Sequence, residues 1–517
     1  MITYRYNIIS FDNVSLLNVK VAETTLQTIK TMFDNTTIVV LTLLAYKLVL
    51  IGIGLWAQRK STSIDGFLIG NRQLGPVVAA ISYSASSSSA WTLLGMSGIA
   101  FSLGVSAIWF VVGSILGMVL SWGFIAPKLM QLSHRHQFFT LTDVLLMGMK
   151  ASAWRKLIVV IASTITIICF VFYVAAQLQG AGQTFHHVFS ISANQSIIGG
   201  AFIVLIYTLL GGFWAVSITD TIQGILMAVA AIILPIAAFL QFGSFNEFWT
   251  SYQNVANDFQ LSWINNKVGL AAIGFVVAIV AVSLGPFGQP HLLVRFMALR
   301  DKKALVQARL IALLWFSIVF FGMFFLGLAG RILVSELDNP ESVFLSLSEQ
   351  LFSPIVAAII IASLLSAIMS TADSQLLAGA TAISHDLGFA RTFKDREILI
   401  SRLAITFMLF ASCALAVLIP ATIFSRALLA WSALGSTFGP IIIARVCKLD
   451  PSDKAICLAM GLGFSATVWF HFNPNSLSWL IDSALLAGSI YERVGSFMLG
   501  LVILLISHRS RSGLRTP

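Results

Sequence analysis

The segment SLLSAIMSTADSQLLAGATA, from Ser363 to Ala382, places hydroxyls and a carboxylate inside an apolar stretch of membrane-spanning length. Ser370 and Thr371 lie near its middle, and Asp373 follows them. Sodium is a hard cation that prefers oxygen ligands, as Ca²⁺ and Mg²⁺ do. Two hydroxyls, combined with backbone carbonyls from an interrupted helix, would form an oxygen site of low charge. Ser and Thr in membrane helices also bond their own backbone, and this segment alone leaves that alternative open.

Two other apolar segments contain residues that interrupt a helix. One reads ISYSASSSSAWTLLGMSG from Ile81 to Gly98, and the other reads VSLGPFGQPHL from Val282 to Leu292. Backbone groups freed inside a bilayer need partners, so such breaks persist only within the protein or beside a cavity. The Ser run can alternatively serve close helix packing, and the Gly/Pro run can be a kink. Their matching positions in two halves of opposite sense favour a binding site between inverted repeats.

A third candidate for ion chemistry is Asp220, in the sequence SITDTIQG. A carboxylate within a membrane span is costly and suggests a functional site on an ion pathway. A carboxylate near the start of a helix can also simply cap it. The sequence supports both interpretations of Asp220, and it suggests Asp373 as a second residue of the pathway.

The composition identifies the elements that must position these residues as membrane helices. Hydrophobic residues make up 58% of the 517 residues and charged residues 10%, against roughly 25% charged in soluble domains. Apolar runs of spanning length predict about 13 transmembrane helices. The predicted spans are 36–57, 75–98, 105–127, 156–184, 194–212, 216–242, 268–292, 306–332, 353–383, 398–420, 423–446, 453–471 and 488–507.

The placement of the positive charges predicts an orientation and argues against nucleic-acid binding, despite the net charge of +10. Lys and Arg concentrate in the odd-numbered connections and the tail, whereas the even-numbered connections are nearly bare. Positive loops face the cytoplasm. We therefore expect a multi-pass protein of a bacterial-type inner membrane, with its N-terminus outside and its C-terminus cytoplasmic.

The same spans predict the organisation of the chain. We expect an extracytoplasmic extension over 1–35, a peripheral first helix over 36–57, and inverted repeats over 75–242 and 268–446. Peripheral C-terminal helices over 453–507 and a cytoplasmic tail over 508–517 complete the prediction. One hypothesis is that translation starts at Met32 rather than Met1. The four cysteines have no metal-ligand spacing, so we expect neither a structural metal nor a disulfide.

Five segments, in order, resemble the sodium/solute symporter family and most closely its sodium/proline branch. They are IDGFLIGNRQLGP (Ile64 to Pro76), the small-residue run ending at Ala90-Trp91, YTLLGGFWAVSITDTIQG (Tyr207 to Gly224), FGQPHLLVRFMA (Phe287 to Ala298) and SAIMSTADSQLL (Ser366 to Leu377). The resemblance covers about Thr37 to Ile506. It implies an all-α, LeuT-like core of two inverted five-helix repeats with discontinuous first helices. It also implies symport of a small organic solute, such as the amino acid proline, with sodium as the co-transported ion.

The resemblance also implies roles for particular residues. Sodium would be held by carbonyls of Ala85, Ser88 and Ala367 and hydroxyls of Ser370 and Thr371. The solute would lie against the second-span break, Tyr173 and the seventh-span break. The residues expected to line it are Ser86, Ser87, Ser89, Trp91, Tyr173, Val282, Pro286, Gln289 and Pro290. The family further implicates the aspartate at the place of Asp220 in ion transfer.

At several positions this chain has residues that differ from those of the proline branch. These differences bear on which solute is bound more than on which ion is bound. The branch has an aspartate at the place of Ser87, and a Met and a Gly where this chain has Ser88 and Ala90. It has Trp and Tyr at the places of Val282 and Pro286. A site without those aromatic walls would suit a larger or differently polar amino acid.

The sequence also bears on two other classes of function. A transporter-like membrane sensor would need a separate signalling partner, because no kinase-like segment follows the last predicted span. An enzyme is not expected, since the sequence has no paired catalytic carboxylates, HExxH or GxSxG. The expected partners are therefore the solute, Na⁺ and the lipid bilayer, without nucleic acid. A monomer is the working hypothesis, and the sequence leaves Na⁺ against H⁺ coupling open.

Overall fold

A computed structural model describes residues 35–58, 64–189, 191–210, 212–334, 336–389, 396–419, 421–474, 476 and 490–508. Residues 1–34 of the predicted extension, with its two start sites, and residues 509–517 of the predicted tail lie outside these residues. The described chain is nearly all helical, which confirms the predicted all-α class. Within it, ten helices are long and apolar enough to cross a bilayer.

The observed helices follow the predicted spans with shifts of a few residues at their ends. The first half of the chain contributes Asn35–Gln58, Pro76–Ser87, Met96–Leu103, Ile108–Leu120, Ala126–His136, Ala153–Phe189, Ala193–Leu210 and Phe213–Phe239. The second half contributes Gly269–Val280, Pro290–Met297, Lys302–Leu333, Pro354–Thr381, Glu397–Leu418, Ile423–Val446, Asp453–Phe472 and Ser496–Ile506. A described helix falls within each predicted span, although residues 488–489 of the last span lie outside the described part of the chain. The proposed grouping of the spans into repeats stays a prediction.

The second span is interrupted at its Ser run. Helix Pro76–Ser87 ends where Ser88 leaves helical geometry at φ −98° and ψ 83°. The chain resumes as a short π-helix over Trp91–Gly95, which continues into the α-helix Met96–Leu103. Gly104, at φ +65°, then makes the sharp turn into the third span, because a left-handed backbone suits a residue without a side chain.

The seventh span breaks at its Gly/Pro run. Helix Gly269–Val280 tightens into a 3-10 turn over Ala281–Gly288, and Gln289 adopts an extended conformation before Pro290–Met297 begins. Pro290 fits the first position of the new helix, where no backbone donor is needed. Small residues of the third span let the two spans approach closely. A Cβ on Gly113 or Gly117 would lie 2.9 Å from backbone atoms of Val280 or Ser283.

Candidate functional site

The carbonyl end of helix Pro76–Ser87 meets two hydroxyls of helix Pro354–Thr381. The Ser370 hydroxyl lies 3.2 Å from both the Ala85 and Ala367 carbonyl oxygens, to which it can donate. The Thr371 hydroxyl donates to the Ser86 carbonyl at 3.0 Å. We call these three carbonyls and two hydroxyls the oxygen cluster. It is buried and carries no formal charge of its own.

The oxygen cluster offers neutral oxygen atoms, the kind of ligand that hard cations prefer. A hydroxyl donates one hydrogen and has two lone pairs, so it can rotate from donating to a carbonyl to accepting a cation. Ser88, the remaining predicted ligand, ends the half-helix beside the cluster. Its hydroxyl has no hydrogen-bond partner among the described residues. The structure thus gathers four of the five predicted sodium residues into one contact group and places the fifth next to it.

Trp431, which the sequence did not single out, holds the break of the seventh span. Its indole N–H donates to the Val282 carbonyl at 3.0 Å. The Gln289 side-chain amide donates to the Trp431 carbonyl at 3.1 Å and to the Gly285 carbonyl at 3.3 Å. These contacts satisfy carbonyls that the interrupted helix leaves without an intrahelical donor. The helix Ile423–Val446 therefore fixes the geometry of the break.

Gly285 is required by this arrangement, because a Cβ there would overlap the Trp431 indole. We expect Gly285→Ala to lower the stability of the purified protein by roughly 1–3 kcal/mol, the usual cost of overpacking. Thermal unfolding in detergent measures the effect. Gly461→Ala is the matched control, since its Cβ would meet nothing within 4 Å. Equal unfolding midpoints for the two variants would contradict the proposed packing.

Aromatic rings close the site on one side of the two breaks. The Trp91 ring lies 5.6 Å from Phe320, 6.0 Å from Phe424 and 6.4 Å from Trp431, measured between ring centroids. Phe110 continues the cluster at 5.4 Å from Phe424. These rings belong to helices that are far apart in sequence, so the packing joins both halves of the chain.

Buried polar atoms without partners lie beside these rings. Gln177 accepts a hydrogen bond from the Ala90 backbone at 3.0 Å through its side-chain oxygen. The Tyr173 hydroxyl lies near the Ser89 and Trp91 side chains but makes no well-formed hydrogen bond to either. Among the described residues, four polar atoms here have no hydrogen-bond partner: Ser88 Oγ, Tyr173 Oη, Gln177 Nε2 and Gln289 Oε1. Buried polar atoms are nearly always paired, so this group, which we call the orphan polar group, has the character of a ligand site.

The other residues predicted to contact the solute lie in several different places. The Ser87 hydroxyl donates to the Ser84 carbonyl of its own helix at 3.0 Å, and Ser89 accepts from the Trp91 backbone at 3.4 Å. Pro286 packs beside Gly117 of the third span. The Ser86 hydroxyl points away from the aromatic rings and into a cluster of charges.

That cluster is centred on a buried ion pair between Asp220 and Arg295. The Arg295 guanidinium donates to the Asp220 carboxylate at 2.9 Å, and both side chains are at most 2% exposed. Ser82 and Ser86 donate to the same carboxylate oxygen at 2.9 and 3.0 Å. Arg295 also donates to Ser374 at 2.6 Å. We call these five residues the charge cluster.

The charge cluster corrects the capping interpretation of Asp220. The helix begins at Phe213, so Asp220 lies more than one turn inside it and its carboxylate bonds side chains of other helices. Arg295 was not among the residues predicted from the sequence. The signal was a cation at the end of the FGQPHLLVRFMA motif, directly after the break and inside an apolar span.

Asp373, the second residue predicted for the ion pathway, is fully buried one helical turn beyond the oxygen cluster. No described side chain donates a hydrogen bond to either of its carboxylate oxygens. Asp373 is therefore buried near the oxygen cluster without a hydrogen-bond donor from a described side chain.

A cavity reaches the charge cluster, and its lining contains none of the rings Trp91, Phe320, Phe424 and Trp431. Its inner wall includes Pro290, His291, Arg295 and Ser374. Its mouth includes Thr140, Thr142 and Asp386, where both threonine hydroxyls bond the Asp386 carboxylate at 3.0 and 2.6 Å. The cavity thus leads from the charge cluster toward the segment that carries Thr140 and Thr142.

No group of three His, Cys, Asp or Glu side chains suited to a metal ion occurs in the described part of the chain. The candidate site instead offers neutral oxygens.

In sequence, residues 67–447 match the family described as the sodium:solute symporter family.

Curated relatives match over most of the chain. The osmoregulated proline transporter OpuE of Bacillus subtilis is 30% identical over 488 residues, covering 91% of this chain and 95% of OpuE. The sodium/proline symporter of Staphylococcus aureus (strain NCTC 8325) is 31% identical over 411 residues, covering 77% of this chain and 79% of the symporter.

Solved structures share the fold. A Na⁺-coupled sialic acid symporter in a substrate-bound, outward-open state aligns at a TM-score of 0.71 and 16% identity, covering 92% of this chain and 99% of the symporter. MhsT in complex with L-phenylalanine aligns at 0.53 and 13% identity, covering 84% of this chain and 99% of MhsT. These likenesses confirm the predicted LeuT-like core.

Proposed function

The chain belongs to the sodium:solute symporter family, and from that membership we propose that it imports an amino acid such as proline together with sodium. It is a multi-pass membrane transporter and not an enzyme. The observation that carries the proposal is the contact of the Ser370 and Thr371 hydroxyls with carbonyls at the break of the second span. No relative named above supports the alternative of a sensor.

Sodium would bind in the oxygen cluster, with the Ser88 carbonyl as a further ligand. The ion would replace the hydrogen bonds that now join the two hydroxyls to the Ala85, Ala367 and Ser86 carbonyls. Its charge would fix the end of helix Pro76–Ser87 against helix Pro354–Thr381. Because that helix end also carries the residues of the solute site, sodium binding would favour solute binding, and the coupling would be reciprocal.

The solute would lie at the orphan polar group, between the two breaks. A free amino acid carries a carboxylate and an amine, which need donors and acceptors respectively. Tyr173, Gln177 and Ser88 offer donors, and Gln289 offers a carbonyl oxygen. The rings of Trp91 and Trp431 would contact the apolar part of the solute.

The position of the cavity suggests the side of the membrane to which the bound solute and sodium are released. Its mouth lies beside the connection that carries Arg135 and Lys150, which the positive-inside rule assigns to the cytoplasm. We infer that the aromatic rings form the outer barrier and that the structure is open inward. In alternating access, opening of the rings and closing of the cavity would expose the site to the outside.

Uptake by purified protein in proteoliposomes tests the function. A panel of labelled amino acids, proline included, is supplied with an inward sodium gradient and with the same salt on both sides. We expect accumulation of proline or a related amino acid only with the gradient. Equal uptake under both conditions for every member of the panel would contradict the proposal.

Tyr173→Phe tests the position of the solute. The Tyr173 hydroxyl makes no well-formed hydrogen bond and only weak interactions with the Ser89 and Trp91 side chains, so its removal is expected to change stability little. If the hydroxyl bonds the solute, the solute concentration for half-maximal uptake rises roughly 3- to 10-fold. Tyr252→Phe is the control, because that buried hydroxyl donates to the Gln260 backbone carbonyl at 3.5 Å and belongs to neither break. If Tyr173→Phe leaves the solute concentration for half-maximal uptake unchanged, the solute does not bind at the Tyr173 hydroxyl.

A further inference from the structure

A buried arginine lies in the last predicted span, 488–507. Arg493 belongs to the short π-helix Tyr491–Gly495 and is 8% exposed. A charged side chain inside a membrane span is costly, so it marks a candidate functional residue whose partner should be identified. Short π-helices also occur frequently at functional sites. The role of Arg493 therefore depends on the group that its guanidinium contacts.

That group belongs to the seventh span, directly before its break. The Arg493 guanidinium donates to the Ala278 carbonyl at 2.6 Å. Ala278 lies in the last turn of helix Gly269–Val280, where carbonyls lack a regular intrahelical donor. The end of a helix also carries a partial negative charge, which favours a cation there. Arg493 thus stabilises the point at which the α-helix changes into the 3-10 turn Ala281–Gly288.

Arg493 is one of several side chains that donate to carbonyls along the seventh span. The accepting carbonyls are those of Ala278, Val282 and Gly285, whose spacing of four and three residues places them on one face of a helical segment. The donors, which we call the donor row, are Arg493, Trp431 and Gln289. Two members of the donor row come from other helices. The break is therefore held by neighbouring spans as well as by its own chain.

The last helix follows the seventh span beyond the Arg493 contact. The ring centroids of Phe497 and Phe287 lie 6.4 Å apart. A Cβ on Gly439 would lie 2.5 Å from the Phe497 ring, so helix Ile423–Val446 also approaches the last helix closely. Helix Ser496–Ile506 therefore packs against both the 3-10 turn and the helix that supplies the indole of the donor row.

The counter-charge of Arg493 lies on the same helix. Glu492 precedes Arg493 in sequence and is 6% exposed. Its carboxylate lies 3.2 Å from the His471 ring, between Oε2 and Nδ1. Removal of Arg493 alone would leave the Glu492 carboxylate buried without this cation, which is destabilising in itself. Removal of both charges avoids that cost and isolates the contact with Ala278.

We propose that Arg493 is a positioning residue for the solute site and acts through the break of the seventh span. The inference rests on the proposed function and deepens it. Gln289 links the donor row to the orphan polar group, because its amide donates to the Gly285 carbonyl while its own oxygen has no partner among the described residues. Loss of the donor at Ala278 would loosen the break and displace the Gln289 oxygen from the solute. The last helix then takes part in solute binding.

Amide hydrogen exchange of the purified protein tests the placement of Arg493 without any solute. Arg493→Met removes the guanidinium. We expect peptides covering 278–289 to exchange roughly tenfold faster than in the wild type, because the break opens locally more often. Arg445→Met is the matched control, since that buried guanidinium donates to the Leu145 carbonyl at 2.8 Å and belongs to neither break. Equal exchange over 278–289 in Arg493→Met and the wild type would overturn the proposal.

Two further variants cover poor folding of Arg493→Met. Glu492→Gln/Arg493→Met leaves neither charge of the pair, and its 278–289 peptides are expected to exchange faster than those of Glu492→Gln alone. Arg493→Lys keeps a cationic donor and is expected to exchange as the wild type does. Equal exchange in Glu492→Gln/Arg493→Met and Glu492→Gln would overturn the proposal.

Initial uptake in proteoliposomes separates positioning of the solute from support of the fold. The probe is the amino acid of the labelled panel that the wild type accumulates most strongly, with proline as the expected one. Its concentration for half-maximal uptake should rise roughly 3- to 10-fold in Glu492→Gln/Arg493→Met relative to Glu492→Gln. In Arg493→Lys and Arg445→Met it should stay within about twofold of the wild type.

The sodium-dependent rise of the unfolding midpoint, measured without solute, should be the same in Glu492→Gln/Arg493→Met and the wild type. The reason is that the oxygen cluster includes no residue of the seventh span. Faster exchange over 278–289 with an unchanged solute requirement would overturn the role of Arg493 in solute binding. A wild type that accumulates no amino acid of the panel would instead contradict the proposed function, and the exchange experiment would still decide whether Arg493 holds the break.

Discussion

Replacement of Thr371 by valine is expected to raise the sodium concentration for half-maximal uptake by roughly 10- to 100-fold. Valine keeps the shape of threonine and removes only the hydroxyl that now donates to the Ser86 carbonyl. A hydrogen bond or ligand contact to a charged group contributes about 1.5–3 kcal/mol, and each 1.4 kcal/mol is about tenfold. Uptake measured against external sodium, with choline replacing it, gives the value.

Two variants of the same helix serve as controls for Thr371→Val. Thr371→Ser keeps the hydroxyl and is expected to stay within a few-fold of the wild type. Ser363→Ala removes a hydroxyl that bonds only the Ile360 carbonyl of its own helix, at 2.6 Å, and is expected to leave sodium dependence unchanged. If Thr371→Val and Ser363→Ala need a similar sodium concentration for half-maximal uptake, Thr371 is not a ligand of the ion.

Neutralisation of Asp220 is expected to have the largest effect on stability. Asp220→Asn leaves the Arg295 guanidinium buried at 2% exposure without its counter-charge. Breaking a buried ion pair on one side costs about 3–5 kcal/mol. We expect a much lower unfolding midpoint and very low uptake. Arg300→Gln is the control, because the Arg300–Asp301 pair is exposed and should contribute little.

The double variant Asp220→Asn/Arg295→Gln separates a structural role of the pair from a role in transport. With both charges gone, stability should return to within roughly 1 kcal/mol of the wild type. If Asp220 lies on the ion pathway, uptake stays low although the protein is stable. Recovery of uptake together with stability would show that the pair only supports the fold.

The residues that sequence analysis found are those whose type conflicts with their surroundings. Both breaks were predictable because a regular membrane helix is disfavoured by Pro286, by Pro290 and by the Ser run. Ser370 and Thr371 were found because their hydroxyls lie in mid-span beside one of the inferred breaks.

The residues that sequence analysis missed act through partners from distant segments. Arg295 pairs with a carboxylate 75 positions earlier, and the Trp431 indole satisfies a carbonyl 149 positions away. Neither residue type reveals its partner in a single sequence. The capping interpretation of Asp220 was wrong because the start of its helix was predicted a few residues too late. The span was predicted to begin at 216, and the actual start at Phe213 places Asp220 well inside the helix.

Sodium binding to the purified protein, without solute or transport, tests the central claim most directly. A ligand that binds only the folded state raises the unfolding midpoint as its concentration increases. We predict that sodium, replacing potassium at constant ionic strength, raises the midpoint of the wild type and of Ser363→Ala. The same titration should leave the Ser370→Ala/Thr371→Val double variant unchanged. An equal sodium-dependent rise in the double variant would show that the ion binds somewhere other than the oxygen cluster.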